Sequence, residues 1–452
     1  MGQRDHTPII DAGLPVVVIE TFNGEEPTAD FINAPEGCLG QSITNVTEVP
    51  ASLYIILKAD TLYRSGEYAP GTSGATIKLR GNSAPRTEKK PYKIKLEKKA
   101  DLLLRQDNRD HRDRHWALLK EENVTINTPI GFKVNELVGL PWTPSFEFVN
   151  LILNGDYKGL YMLCETIRRN PDCRIDIDAQ TGYIIENDAY WWNEELSFAS
   201  ASQGTRKRWT FKYPSPDDIT PQQVESIQAD VNLLEQSIHD GTYTDLLDTC
   251  TFAQWLLGHE ILATADGAGS NIFMTKYDNS EASKFMLSTM WDFDTIMKNT
   301  GFWSNVHYLS DFYFSALLSN RNKAFAKAYV LHWNAVKHQL FNDLFAYLNS
   351  LIDTGLGAAL QKSREMDLKR WRLRGPSIAE NVTQAKAFFS KRREWMEQMM
   401  EQIDTIRVGV KNIRTTPASP SLRYYNHQGQ PLPAPRRGII INADLRQSIC
   451  RP

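Results

Sequence analysis

The hydrophobic pattern of the chain changes near its middle, and this change limits the folds that the chain can adopt. In the first half, segments such as 75–80 and 92–96 alternate apolar and polar residues, which is the period expected of half-buried strands. From Pro221 onward, apolar residues recur at helical spacing, and Thr220 followed by Pro221 is a favourable helix start. A strand-rich half followed by a helix-rich half predicts an α+β fold with two lobes and a cleft between them.

Changes in composition divide the chain into three predicted segments. Residues 1–213 form a strand-rich N-terminal lobe, and residues 214–412 form a helical C-terminal lobe. Residues 413–452 begin with a Pro- and Ser-containing linker and continue as a small β unit, in which 422–425 and 438–441 are expected to pair.

Composition and charge exclude several classes of protein. The hydrophobic content is 41% and the charged content 23%, which is typical of a globular protein. The formal net charge of −3 provides no global basic field for nucleic acid. No apolar run reaches the length of a transmembrane segment. The N-terminus lacks a signal-peptide core, so the protein is either cytoplasmic or begins after a removed signal.

Five cysteines are present, and none has the spacing of a metal site. The odd number leaves at least one thiol without a partner in the chain. Cys164 and Cys173 are close enough in sequence to form a pair, but the usual burial of cysteine favours free thiols.

A short set of acidic and amide residues carries the clearest chemical signal. Asp266 and Asn271 stand five positions apart before one predicted strand, and Asp292 and Asp294 follow the next. Phosphoryl transfer needs a carboxylate that orients the incoming hydroxyl, together with oxygen ligands for Mg²⁺. In this order of elements, Asp266 is the predicted base, Asn271 a metal ligand and Asp292 the main metal ligand. Asp294 is either a second ligand or a structural partner.

The spacing of Asp266 and Asn271 has an ordinary structural alternative. Asp, Asn and Gly are the usual residues of turns, and an Asp and an Asn five positions apart often occur by chance. On spacing alone the turn is favoured, and the order of the surrounding elements supports catalysis.

A phosphate-binding cation is expected on the alternating strand at 92–96. Lys95 is the first candidate and Lys93 the second, and a solvated strand face is the structural alternative. Glu136, on a helix predicted at 127–139, is a candidate partner for the lysine. Glu165, at the end of a later strand, is expected near the nucleotide at the hinge between the lobes, although both acids have the alternative of being surface carboxylates.

One motif is misleading. His111-Arg112-Asp113 spells the triplet of a protein-kinase catalytic loop, but it lies in a charge-dense segment, and position 118 is Leu where such a loop has Asn. We interpret it as solvated charge. No glycine-rich loop precedes the lysine strand, so the chain is not an ordinary protein kinase.

Several motifs in order resemble the spore-coat protein H (CotH) family. The resemblance covers about residues 14 to 400. The motifs are Ile77-Lys78-Leu79-Arg80-Gly81-Asn82-Ser83, Lys89-Lys90-Pro91-Tyr92-Lys93-Ile94-Lys95-Leu96, Trp116-Ala117-Leu118-Leu119, Leu153-Asn154-Gly155-Asp156-Tyr157-Lys158-Gly159 with Glu165, and Asp266, Asn271 and Trp291-Asp292-Phe293-Asp294.

The resemblance implies an atypical protein-kinase-like fold with two lobes and a small β tail. It implies transfer of phosphate from ATP to Ser residues of a secreted or coat protein, with Mg²⁺ or Mn²⁺. It also implies that activity is lost without Asp266 or Asp292, and it adds Arg80 and Lys95 as nucleotide-site candidates.

Two other functions remain open at this stage. One is a catalytically inactive, kinase-like surface adhesin or coat scaffold, and the other is a carbohydrate-binding protein that stacks Trp191 and Trp192 on sugars. The three residues Asp266, Asn271 and Asp292 favour the enzyme. The tail at 423–450 resembles a short β segment of exported bacterial proteins, which favours a secreted or surface location.

Overall fold

Strands fill most of the first half of the chain and helices most of the second. The computed structural model describes residues 5–403 except 39, 59, 121–125, 203–206, 265–266, 268–269, 298–311 and 354, together with four short strands near the C-terminus. The described strands are β1 (Val16–Thr21), β2 (Asp30–Asn33), β3 (Gln41–Thr44), β4 (Val49–Leu57), β5 (Asp60–Arg64), β6 (Ala75–Leu79), β7 (Tyr92–Ala100), β8 (Asp113–Lys120), β9 (Phe146–Leu153), β10 (Asp156–Glu165), β11 (Tyr183–Asp188), β12 (Ser197–Phe198), β13 (Arg208–Tyr213), β14 (Ile272–Lys276), β15 (Phe285–Leu287), β16 (Tyr424–Tyr425), β17 (Pro431–Leu432), β18 (Ile440–Asn442) and β19 (Gln447–Ile449). The described helices are α1 (Thr7–Ile10), α2 (Asn127–Leu137), α3 (Pro221–Asp240), α4 (Thr249–Leu262), α5 (Tyr313–Ser319), α6 (Ala324–Ser350), α7 (Gly355–Trp371) and α8 (Ile378–Ile403).

Seven strands of the first half close into a barrel. Their order is β1-β9-β10-β8-β7-β6-β4, and β4 pairs back with β1. Val16 is the closing residue, since it pairs in parallel with Asn150 of β9 and in antiparallel with Ile56 of β4. Because the barrel is closed, each of its seven strands pairs with another barrel strand on both sides. β5 lies outside this closed set and pairs with β4.

Side chains fill the inside of the barrel. Ile77, Ile94, Trp116 and Leu151 belong to one buried cluster within it. Because side chains alternate along a strand, the polar residues between them point outward, as Lys93 does on β7.

The remaining larger sheet has five strands in the order β12-β13-β11-β14-β15. Strands that are far apart in the chain meet here, since Ile185 pairs with Phe211 of β13 and with Met274 of β14. One continuous apolar core joins this sheet to α2, α4, α6 and α8. None of the described helices is both long enough and apolar enough to span a bilayer.

The predicted two-lobed, kinase-like α+β fold is wrong. The structure is a closed seven-stranded barrel with eight helices in its described residues. The two strands predicted in the second half are present as β14 and β15, but they join β11–β13 of the first half in one sheet instead of interrupting a separate helical lobe. The alternating pattern correctly indicates strands, but it carries no information on which strands pair. Closure depends on β1 bonding two strands that lie far from it in the chain.

Local predictions agree better with the structure. The Asn154-Gly155 turn joins β9 and β10, with φ of 50° and 71°, as the sequence predicted. Cys164 and Cys173 are free, as the burial habit of cysteine suggested. In the tail, however, Tyr424–Tyr425 pairs with Pro431–Leu432 rather than with the predicted 438–441 segment.

Candidate functional site

The start of β14 and the chain after β15 meet at one edge of the five-stranded sheet. Met274 pairs with Leu287 in antiparallel register, so the start of β14 and the end of β15 lie at the same end of this pair. Asn271 immediately precedes β14 and Asp292 comes five residues after β15, and their convergence on one ion stays a prediction. Both have a positive φ, 64° and 65°, which Asn and Asp adopt more readily than other residues with a Cβ.

Arg80 reaches this edge from the barrel. It follows β6, and Gly81 turns the chain immediately after it with φ of 84°. The guanidinium carbon of Arg80 lies 5.8 Å from the centre of the Trp291 ring. Burial lowers the pKa of Arg80, and the negative charge of Asp292 opposes that effect. A cation from the barrel and a carboxylate from the second sheet thus share one site.

Lys93 lies next to Arg80 on the outer face of the barrel. Its side chain is half-buried, and no described residue forms a hydrogen bond or an ion pair with its ammonium. Burial, together with the positive charges of Lys78, Arg168 and Arg80, lowers the pKa of Lys93 to about 8, and the negative charge of Glu48 opposes this effect. Lys95, the first choice from the sequence, lies on the same face of β7 but is exposed.

Arg168 was missed by the sequence analysis. It is half-buried, and within the described part of the chain its guanidinium has no hydrogen bond or ion pair. Burial lowers the pKa of Arg168. Burial, together with the positive charges of Arg168 and Lys93, lowers the pKa of the neighbouring His115 to about 3. The only sequence signal was the position of Arg168, three residues after the end of β10.

The segment that carries Asp292 is held by α2. Phe293 is 1% exposed and packs edge-to-face on Phe132, with the ring centres 5.5 Å apart. Gly131 makes room for it, since a Cβ there would lie 2.2 Å from the Phe293 ring. The side-chain oxygen of Asn135 accepts the Met290 N–H at 2.7 Å. These contacts position Asp292 from both sides, and sequence patterns did not indicate them.

Glu165 and Glu136 have other partners. The Glu165 carboxylate is buried, lies 3.0 Å from the guanidinium of Arg105, and accepts the Ser145 N–H at 2.9 Å. Glu136 forms an ion pair with Lys133 of the same helix at 3.1 Å. Both carboxylates therefore have partners among the described residues.

Asp266 lies outside the described residues. Gly267, which follows it, is buried against His259, and a Cβ on Gly267 would lie 2.3 Å from the His259 Nδ1. His259 Nδ1 also lies 3.0 Å from the Thr264 hydroxyl. Burial lowers the pKa of His259 to about 3, so its ring is neutral near pH 7.

The misleading triplet is structural, but it is not simply solvated charge as predicted. Asp113 is buried at the start of β8, where Asn170 donates to it at 2.9 Å and Arg174 lies 3.7 Å away. His111 is also buried and pairs with Asp107. Only Arg112 of the triplet is exposed.

The described residues offer oxygen donors but no complete metal cluster. No group of three or more His, Cys, Asp and Glu suitable for a metal occurs among them. The exposed carboxylate of Asp292 acts on Arg80, and the Asn271 amide and the exposed carboxylate of Asp294 are the other predicted donors. One or two carboxylates with water are sufficient for Mg²⁺, so the residues present fit this ion.

Comparison with known proteins identifies a family. The family model described as CotH kinase protein matches residues 77–396, which is most of the chain. This range includes Arg80, Lys93, Asn271 and Asp292. Among curated proteins no match was found.

Proposed function

This chain belongs to the CotH kinase protein family, and from that premise we propose that it transfers the γ-phosphate of ATP to Ser residues of a protein. The groups that bind the nucleotide would come from residues 1–213, and the metal and catalytic groups from 214–412.

The observation that carries the proposal is a cationic site without direct ion pairs among the described residues. Lys93 and Arg168 are half-buried, and the negative charges that act on them, Glu48 on Lys93 and Asp113 on Arg168, form no ion pair with them. A buried charge without a partner is costly, so this site favours a ligand with several negative charges. Arg80 adds a third cation, and the polyphosphate of ATP has the required charge and several acceptor oxygens.

The oxygen donors of the proposed site would come from the chain on either side of the β14–β15 pair. Asn271 and Asp292 would hold a Mg²⁺ or Mn²⁺ ion, with Asp294 as a further candidate. When bound, such an ion neutralises phosphate charge during phosphoryl transfer. The α2 contacts to Met290 and Phe293 fix the backbone on both sides of Asp292, which reduces the reorganisation needed when ligands bind.

The transfer step needs an acceptor and a base. The Ser hydroxyl oxygen of the protein substrate forms a bond to the γ-phosphorus, the bond from that phosphorus to the β–γ bridging oxygen breaks, and ADP leaves. Asp266, by its position five residues before Asn271, would accept the hydroxyl proton. Lys93 and Arg168 would hold the phosphates in line for this displacement.

A location outside the cytoplasm fits this function. Cys250 is disulfide-bonded, and disulfides persist mainly in oxidising compartments. The family is named for a spore coat, so the proposed substrate is a Ser-rich secreted or surface protein.

The test uses purified full-length protein with labelled ATP, Mn²⁺ and a Ser-rich acceptor. We expect labelling by the wild type and a loss of at least about 100-fold with Asp292→Asn, because one charge-neutralising group is removed from the transition state. Asp60→Asn, which removes an exposed carboxylate on β5, is the matched control and should retain activity.

Two results would contradict the proposal. Equal labelling by Asp292→Asn would exclude Asp292 from the site. ATP binding by the wild type without any labelling, with ATP raising the melting temperature, would instead favour the inactive scaffold.

A further inference from the structure

A cavity opens at one end of the barrel, where β1 begins and β4 ends. Its volume is about 390 Å³, within the range of small-molecule sites. The described residues that line it are almost all apolar and include Leu14, Ile55, Val149 and Leu163. Neither Lys93 nor Asp292 is among them, so the cavity is separate from the proposed nucleotide site.

One charged side chain interrupts this apolar lining. Among the described lining residues, only Glu147 is polar. Its carboxyl group is half-buried and has no hydrogen bond or ion pair with any described residue. Burial raises the pKa of Glu147, and no nearby cation offsets that effect. A buried acid elsewhere on the barrel differs, since Glu165 pairs with Arg105 at 3.0 Å.

The walls of the cavity are formed in advance. Leu102 is 2% exposed, and the chain after it is fixed by Arg105, which pairs with Asp101 at 2.9 Å and with Glu165 at 3.0 Å. On the opposite side, Ala359 of α7 packs against Gly13 before β1. A preformed site loses little conformational entropy when a ligand binds.

We propose that this cavity binds a small amphiphile with an apolar body and a protonated amine head. The aliphatic walls would cover the apolar body, and the amine would donate to the Glu147 carboxylate, which lacks any other partner. An amphiphile with a carboxylate head would be repelled by the negative charge of Glu147 and excluded. Leu356, 38% exposed on the first turn of α7, lies at the mouth through which the ligand would enter.

The experiment titrates the full chain by calorimetry with three probes that share one alkyl chain: n-octylamine, 1-octanol and octanoate. We expect octylamine to bind about tenfold more tightly than octanol, the scale of one charge-assisted hydrogen bond, and octanoate to bind more weakly than both. Glu147→Gln should reduce octylamine affinity to that of octanol and leave octanol affinity unchanged.

Two tryptophan variants locate the site. Leu356→Trp at the mouth should abolish binding of octylamine and octanol, whereas Leu331→Trp, at an exposed position on α6, should leave both unchanged. Equal affinity for octylamine and octanol in the wild type would overturn the proposal. So would an unchanged preference in Glu147→Gln, binding that persists in Leu356→Trp, or no binding of any probe. Phosphotransfer activity enters none of these outcomes, so the proposal is tested independently of the function proposed above.

Discussion

Two lysines four residues apart, Lys89 and Lys93, differ in whether their ammonium groups have partners among the described residues. Lys89 is 1% exposed, yet its ammonium lies 2.8 Å from the Asp367 carboxylate and donates to the Leu160 carbonyl at 2.7 Å. Lys93 is less buried, but among the described residues it has neither a carboxylate nor a carbonyl partner. Both belong to the same motif, so their neighbours in sequence do not explain the difference.

The compensated lysine joins two parts of the chain. Asp367 lies on α7, receives Lys89 and the Leu160 N–H, and has Arg364 3.6 Å away. Burial raises the pKa of Asp367, and these three groups oppose that effect. The contacts attach α7 to β10 of the barrel. A charge with a complete set of partners has a structural role, whereas a charge without partners is available to a ligand.

The largest expected effect comes from removing Asp367, the carboxylate partner of Lys89. Asp367→Asn removes the carboxylate and leaves Lys89 and Arg364 buried without it, so we expect a loss of about 3–5 kcal/mol in the free energy of unfolding, measured in urea. Asp156→Asn, which removes a partly exposed partner of Lys158 and Arg370, is the control and should cost less than about 1 kcal/mol. Similar losses in the two variants would show that burial does not distinguish these pairs.

Substitution of Lys93, the lysine without a partner among the described residues, should change ATP affinity rather than stability. Lys93→Met is expected to weaken ATP affinity by about 10- to 100-fold, the cost of one charged hydrogen bond, with unfolding free energy unchanged or raised. Isothermal titration measures the first quantity and urea unfolding the second. Lys95→Met on the same face is the control and should change ATP affinity by less than about threefold. A larger loss with Lys95→Met would reverse the choice between the two lysines.

The smallest expected effect is a pH dependence of ATP affinity. Below a pKa of about 8 Lys93 is a cation, and above it the charge that attracts phosphate is lost. We therefore expect ATP affinity to fall by up to about tenfold between pH 7.5 and 9, a range in which an ordinary lysine stays charged. Lys93→Arg should flatten this profile, because a guanidinium keeps its charge throughout. The same slope in both proteins would show that Lys93 is not the titrating group.

Much of the local structure could be predicted from sequence. The alternation at 75–80 and 92–96 corresponds to β6 and β7, and the capped helix expected from Pro221 is α3, whose Thr220 hydroxyl accepts the Gln223 N–H. These features depend on residues close together in the chain, so propensity and period are sufficient to indicate them.

The candidate site was predictable only in part. The order of Asn271 and Asp292 around two strands indicated that they lie toward the same end of an antiparallel pair, and the pairing of β14 with β15 is present. Arg168 could not be selected in the same way, because its exposure and lack of partners depend on β8 and on the charges around it. The choice between Lys93 and Lys95 also depends on burial, which alternation along a strand does not decide for two residues on the same face.

By itself, the sequence determined the strands and helices, the family and the order of the chemically competent residues. The tertiary structure alone decided that the strands close into a barrel and which charges are compensated. The reason is physical: hydrogen bonds between β1 and β9, or an ion pair between Lys89 and Asp367, join residues whose spacing in the chain carries no periodic signal, and the cost of burying a charge depends on such partners.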